Sequence, residues 1–99
     1  MGVEILMTIN DNGREYNMDK FDEYSSMTQG IINRLIYSRF DSIRSLLGGN
    51  RCNKLRASSI KEMIQNENDL ERIKKVFDYS SEEIIFYVEY SIKNFPFVK

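Results

Sequence analysis

The residue types that could do chemistry in this chain are few, and the missing ones are the most informative. Its 99 residues include no histidine and a single cysteine, Cys52. Histidine is the only side chain that normally titrates near physiological pH, and it is the commonest metal ligand. Its absence excludes serine–histidine and cysteine–histidine nucleophile pairs and imidazole zinc sites, and one thiol cannot build an all-cysteine metal centre. We therefore expect no catalytic residues, no enzyme activity, no metal site and no cofactor.

Positive charge is concentrated in the middle of the chain. Residues 28–57 carry six bases against one acid, whereas the flanking segments are acidic and the whole chain has a net charge of -1. One interpretation is an anion site for phosphate or nucleic acid. Its candidate residues are Arg39, Arg51, Lys54 and Arg56. The interpretation we favour is internal pairing of the arginines with Asp19, Asp22 and Glu23, because arginines spaced by five residues spread around a helix.

The last predicted helix presents apolar residues in two directions. A core stripe is predicted at Ile84, Ile85, Val88, Ile92 and Phe95. The candidate partner-binding residues lie on the remaining circumference or extend it: Tyr79, Glu82, Glu83, Phe86, Tyr87, Glu89 and Tyr90. Aromatic rings at the centre of an acidic rim are typical of a surface that binds a basic protein partner. The alternative is a central helix that is buried nearly all round.

Arg39 is out of place in the longest amphipathic segment. The apolar residues of 28–47 fall within half of a helical circumference, and Arg39 lies near the middle of that arc. A buried guanidinium needs a paired carboxylate. The favoured interpretation is a helix break at 38–41, where a second N-terminal cap would turn Arg39 outward. The other is a continuous helix with Arg39 buried or facing an interface.

The elements that position these residues follow from turn and cap signals. Residues 3–18 are predicted as a β-hairpin with its turn at Asn12-Gly13, pairing Ile9 with Tyr16 and Met7 with Met18. Helix 28–47 ends at the glycines that follow it, and capping boxes predict further helices after Ser59 and Ser80. The chain from Thr28 onward is therefore expected to be predominantly helical.

The hairpin and the helix after it also resemble a known family. The segments Ile5-Leu6-Met7-Thr8, 11–16 and 26–32 are similar to the start of elongin C and related BTB-type adaptor domains. The resemblance covers about a third of the chain. It implies a protein-binding adaptor, and a third or fourth strand at 54–56 or 97–99 would favour that alternative.

Length and composition favour one domain over residues 1–99. An apolar fraction of 41% with a small net charge excludes a disordered chain, and no apolar run is long enough to span a membrane. A lone cysteine and the lack of a secretory signal predict a cytoplasmic protein. We expect an α+β fold in which an N-terminal antiparallel β-hairpin packs on a small bundle of three to four helices.

The predicted function follows from this fold and from the lack of catalytic residues. It is a small non-catalytic protein-binding module that inhibits or neutralises a partner, as immunity proteins, antitoxins and phage counter-defence proteins do. The alternatives are a nucleic-acid or nucleotide binder that uses the 51–56 loop and a BTB-like adaptor. The oligomeric state is left open.

Overall fold

The computed structural model describes residues 7–48, 55–96 and 98, and within these residues the chain is α+β. Strands β1 (Thr8–Asp11) and β2 (Arg14–Asn17) form an antiparallel two-stranded sheet, and a 3-10 helix (Met18–Glu23) follows. Four α-helices complete the order: α1 (Ser26–Gly48), α2 (Ala57–Met63), α3 (Glu67–Phe77) and α4 (Ser81–Asn94). The predicted fold class, an N-terminal hairpin followed by three to four helices, is confirmed.

The hairpin has the predicted turn and register. Asn12 and Gly13 both have positive φ, at 52° and 87°, which is the conformation that a type I′ turn requires. Ile9 pairs with Tyr16, and both side chains are buried. The pairing continues beyond the strands, because the backbone N–H of Met18 donates to the carbonyl of Met7 at 3.0 Å. The part of the predicted hairpin before residue 7 lies outside the described residues.

The contacts of the chain group into two compact units, one up to Leu35 and one from Ile36 onward. The boundary falls inside α1. The first unit contains the hairpin and the 3-10 helix, where the rings of Tyr16 and Tyr24 meet edge to face at 6.4 Å and the hydroxyl of Tyr24 accepts from the N–H of Asn17. The second unit contains α2, α3 and α4 and carries the candidate site residues that the structure describes.

Helix α1 is continuous, so the predicted break at 38–41 is wrong. The helix runs from Ser26 to Gly48, and the hydroxyl of Ser42 donates to the carbonyl of Ser38, four residues earlier, as expected for uninterrupted helical backbone. No second cap forms at these residues, because Arg39 finds partners on another helix and does not need to rotate outward. The start is fixed by Ser25, whose hydroxyl accepts from the N–H of Thr28.

The three shorter helices begin at different kinds of residue. Helix α3 is capped by Asn66, and α4 by a capping box in which Ser80 and Glu83 exchange bonds of 3.1 Å, as predicted. Helix α2 differs from the prediction. It begins at Ala57, with Arg56 as N-cap and no side-chain cap, so the capping box predicted at Ser59 does not form. Leu55, Arg56 and Val98 are not in strands, and the other residues proposed for further strands lie outside the described part.

The core of the second unit is mainly aliphatic, with buried aromatic rings among its residues. Its buried residues include Ile36, Phe40, Ile43, Leu47, Ala57, Ile60, Ile64, Ile73, Ile84 and Val88. Helix α4 packs against both α2 and α3, so one side of α4 is held by the unit's other helices. No helix in the described part of the chain has the length and hydropathy to cross a membrane.

Candidate functional site

The candidate site is the outward side of α4, whose inward side is set by five buried residues. These are Ile84, Tyr87, Val88, Ser91 and, at the C-cap, Phe95. Their spacing of three and four residues forms one stripe along the helix. The capping box at Ser80 fixes the residue at which the helix begins.

The buried stripe is rotated around the helix axis relative to the predicted stripe. The predictions for two residues are therefore wrong. Tyr87, predicted as a partner-binding residue, is fully buried with an exposed fraction of 0%. Ile85, predicted in the core, is 39% exposed. The rotation has a physical reason: the hydroxyl of Tyr87 finds two hydrogen-bond partners inside the unit, so its ring can be buried without an unsatisfied polar group.

The outward side presents a pair of aromatic rings, Phe86 and Tyr90, which we call the aromatic patch. Both side chains are partly exposed. Their ring centroids are 5.4 Å apart with an interplanar angle of 39°. Phe86 also meets Tyr87 edge to face at 6.0 Å, and Tyr90 meets Phe95 at 5.9 Å. The patch is therefore supported from below by buried rings.

The three predicted rim carboxylates divide into two kinds. Glu82 and Glu89 are exposed, and neither makes a hydrogen bond or ion pair with another described residue. Glu83 is half-buried and has a structural task. One of its oxygens accepts from the N–H of Ser80, and the other accepts from the hydroxyl of Tyr87 at 3.1 Å. Glu82 and Glu89 are therefore the two carboxylates of this set that no described residue engages.

Arg39 joins α1 to the buried side of α4. Its Nη1 donates to the hydroxyl oxygen of Tyr87 at 2.5 Å, and its guanidinium lies 5.4 Å from the centre of the Tyr87 ring and 5.7 Å from that of Tyr79. The result is a chain of bonds from Arg39 through Tyr87 to Glu83. Arg39 was a candidate anion ligand in the sequence, and the structure gives it a tyrosine hydroxyl and two ring faces.

The environment of Tyr87 changes its acidity. Burial raises the pKa of Tyr87 to about 12, and the nearby charge of Glu83 acts in the same direction. The bond and positive charge of Arg39 oppose this rise without cancelling it. Tyr87 is therefore a neutral phenol at physiological pH, able to accept from Arg39 and donate to Glu83 together.

Tyr79 lies between the end of α3 and the start of α4. Its ring stacks on Phe77, with centroids 5.3 Å apart and planes 18° apart, and meets Tyr87 edge to face at 5.4 Å. Burial raises its pKa, partly offset by Arg39. Tyr79 is half-buried, so the structure does not give it the fully outward position of a rim residue.

The basic segment is described only in part. Arg51 and Lys54 lie outside the described residues, and Arg56 is an exposed residue at the start of α2. No described contact joins Arg39 to Arg56. The guanidinium of Arg39 instead lies over the rings of Tyr79 and Tyr87. Among the described residues there is also no group of histidine, cysteine or carboxylate side chains arranged to hold a metal.

Sequence reasoning missed the burial of Arg44. This residue is only 8% exposed, and its Nη2 donates to Asp41 at 2.7 Å and to the hydroxyl of Tyr37 at 3.4 Å. Its guanidinium also lies 5.2 Å from the Phe40 ring. The signal was present: Asp41 lies one helical turn earlier, at the spacing of a helix ion pair. Arg44 therefore belongs to the core and is not available to an anionic ligand.

Comparisons of this chain with protein families, with curated proteins and with solved structures give no match.

Proposed function

We propose that this protein is a small non-catalytic protein-binding module that inhibits or neutralises a partner protein, as immunity proteins, antitoxins and phage counter-defence proteins do. The observation that supports this function best is the aromatic patch of α4. Phe86 and Tyr90 are partly exposed although the helix already buries a complete stripe on its other side. Their exposed area is therefore not needed to hold α4 on the core.

The patch has the anatomy of a binding centre. Aromatic rings contribute large contact area with few rotatable bonds, and they dominate the residues at which truncation most weakens protein complexes. The rings of Phe86 and Tyr90 are held by contacts with each other and with Tyr87 and Phe95. A pre-ordered surface loses less conformational entropy when the partner binds.

The charge around the patch favours a basic partner. Glu82 and Glu89 are exposed carboxylates on the outward side, while Lys93 is the exposed base of the same helix. Carboxylates at the rim attract a positively charged surface and mainly increase the rate of association. We propose that the partner carries lysine or arginine residues around an apolar group that covers Phe86 and Tyr90.

The test is a capture experiment with matched variants. Affinity-tagged wild-type protein, Phe86→Ala, Tyr90→Ala and Ile85→Ala are incubated with nuclease-treated extract of the native host. Ile85 is the control because it is an exposed apolar residue of the same helix. We expect one protein to be retained by the wild type and by Ile85→Ala and lost from both aromatic variants. Equal retention by all four proteins would contradict a binding role for the patch.

A further inference from the structure

A second feature of α4 lies outside the aromatic patch, at its contact with α2. A surface depression with a volume of about 590 Å³ opens there, within the range of roughly 300–1,000 Å³ that is usual for small-ligand sites. The described residues that line it are Arg56, Ala57, Ser58, Lys61, Ile92 and Val98. None of them belongs to the aromatic patch or its carboxylates.

The floor of the depression is aliphatic. Ala57 and Val98 are buried, with exposed fractions of 2% and 5%, and Ile92 is half-buried at the end of the inward stripe of α4. None of these three side chains carries a polar atom. A hydrocarbon chain that lies on this floor would leave water without losing a hydrogen bond.

The rim of the depression is cationic. Arg56 and Lys61 are both exposed, and neither side chain makes a hydrogen bond or ion pair with another described residue. Sequence explains this for Lys61, whose neighbours four residues before and after are Ala57 and Gln65, so no carboxylate is placed for a helix ion pair. Arg56 is the N-cap of α2 and makes no side-chain cap. Ser58 adds an exposed hydroxyl.

We propose that this depression binds an aliphatic carboxylate, the free anion of a medium-chain acid. A carboxylate offers two acceptor oxygens, which match the guanidinium of Arg56, the ammonium of Lys61 and the hydroxyl of Ser58, all of which donate. Its alkyl chain lies along Ile92 and Val98. The alkyl chain covers Ile92, the floor residue that retains exposed area, and the carboxylate meets Arg56 and Lys61, whose charges have no described partner.

The experiment is a titration of the whole protein with octanoate, followed by methyl and amide NMR, at octanoate concentrations below micelle formation. We expect saturable shifts at Ala57, Ile92 and Val98. Each methylene added between butanoate and octanoate should raise affinity about twofold, since complete burial of a methylene is worth about fourfold and this floor is open on one side. Octanol and acetate should each bind at least about tenfold more weakly than octanoate.

Charge variants test the head group separately. Arg56→Gln and Lys61→Gln should each weaken octanoate binding about two- to fivefold, the range for exposed ion pairs. Lys75→Gln removes an exposed positive charge from α3 and should leave the affinity unchanged. The proposal is overturned if octanoate causes no saturable shifts, if octanol or acetate binds as tightly, or if the shifts centre on Phe86 and Tyr90.

Discussion

The inward and outward sides of α4 both carry aromatic rings, but the rings are held in different ways. Tyr87, on the inward side, is fully buried, and its hydroxyl bonds to Arg39 and Glu83. Phe86 and Tyr90, on the outward side, are partly exposed and rest on neighbouring rings. The hydroxyl of Tyr87 ties α1 to α4, whereas Phe86 and Tyr90 leave part of their ring area exposed on the outward side.

The difference between the two sides of α4 predicts that truncation of Tyr87 causes the largest loss of stability. Truncation by Tyr87→Ala should lower the free energy of unfolding by ~3–5 kcal/mol, because it leaves a cavity and removes the bonds to Arg39 and Glu83. Urea denaturation followed by circular dichroism measures the loss. Ile85→Ala on the exposed side should change stability by less than ~1 kcal/mol. Similar losses for both variants would remove the distinction between the two sides.

The contribution of the Tyr87 hydroxyl to stability can be measured with a substitution that keeps the ring and leaves no cavity. Tyr87→Phe keeps the ring and should cost ~1.5–3 kcal/mol, the range for a hydrogen bond to a charged group. Because the folded-state pKa of Tyr87 is raised from 10.0 to about 12, the neutral phenol is favoured by folding. Its contribution is complete below pH 10 and is lost as pH rises through 12.

Thermal melting at several pH values measures the pH-dependent stability that comes from the raised pKa of Tyr87. Between pH 10 and 12 the melting temperature of the wild type should fall more steeply than that of Tyr87→Phe, which has no phenol at this position. Lysine deprotonation occurs in both proteins and cancels in the comparison. Parallel curves would mean that Tyr87 does not titrate differently in the folded and unfolded protein.

A smaller effect is expected at the start of α4. Ser80→Ala removes the hydroxyl that accepts from Glu83 N–H and should cost about 1 kcal/mol of stability. The backbone of α4 and both of its sides should otherwise remain in place. Amide hydrogen exchange checks this directly: protection should fall in the first turn of α4 and stay unchanged at Val88. A loss of protection along the whole helix would mean that the cap stabilises all of α4 and not only its first turn.

The smallest effects are expected in the basic segment. Joint replacement of Arg51, Lys54 and Arg56 by serine should leave the melting temperature within about 2 °C of the wild type, because Arg56 is exposed and makes no side-chain cap. We expect weak or no retention of the wild type on nucleic acid at low salt. Strong retention that the triple variant loses, and that falls steeply with salt, would favour the nucleic-acid alternative.

Local chemistry explains which elements could be predicted from the sequence. The turn at Asn12-Gly13 and the capping box at Ser80 depend on residues within three positions of each other, so their patterns are visible in the sequence. The register of Ile9 and Tyr16 followed from the same turn. A local pattern is not sufficient by itself, since the same Ser-x-x-Glu pattern at Ser59 forms no cap and α2 begins at Ala57.

The inward stripe of α4 could not be predicted in the same way. Its rotation depends on Arg39, which is 48 residues away from Tyr87 in the chain. Hydropathy alone favoured Ile85 over Tyr87 as a core residue, because a pattern of apolar residues does not show that a phenol will find two partners. The continuity of α1 could not be predicted for the same reason. Arg39 bonds to Tyr87 of α4, and nothing in the sequence of α1 indicates this contact.

The central claim is that Phe86 and Tyr90 serve binding and not folding, and the stability of their alanine variants tests it most directly. Side-by-side urea denaturation of the wild type, Phe86→Ala and Tyr90→Ala should give losses below ~1 kcal/mol, with the capture of the partner abolished, a change of at least ~2 kcal/mol in binding. Losses of ~3–5 kcal/mol in unfolding free energy, the range for a core phenylalanine, would place both rings in the core and contradict the account.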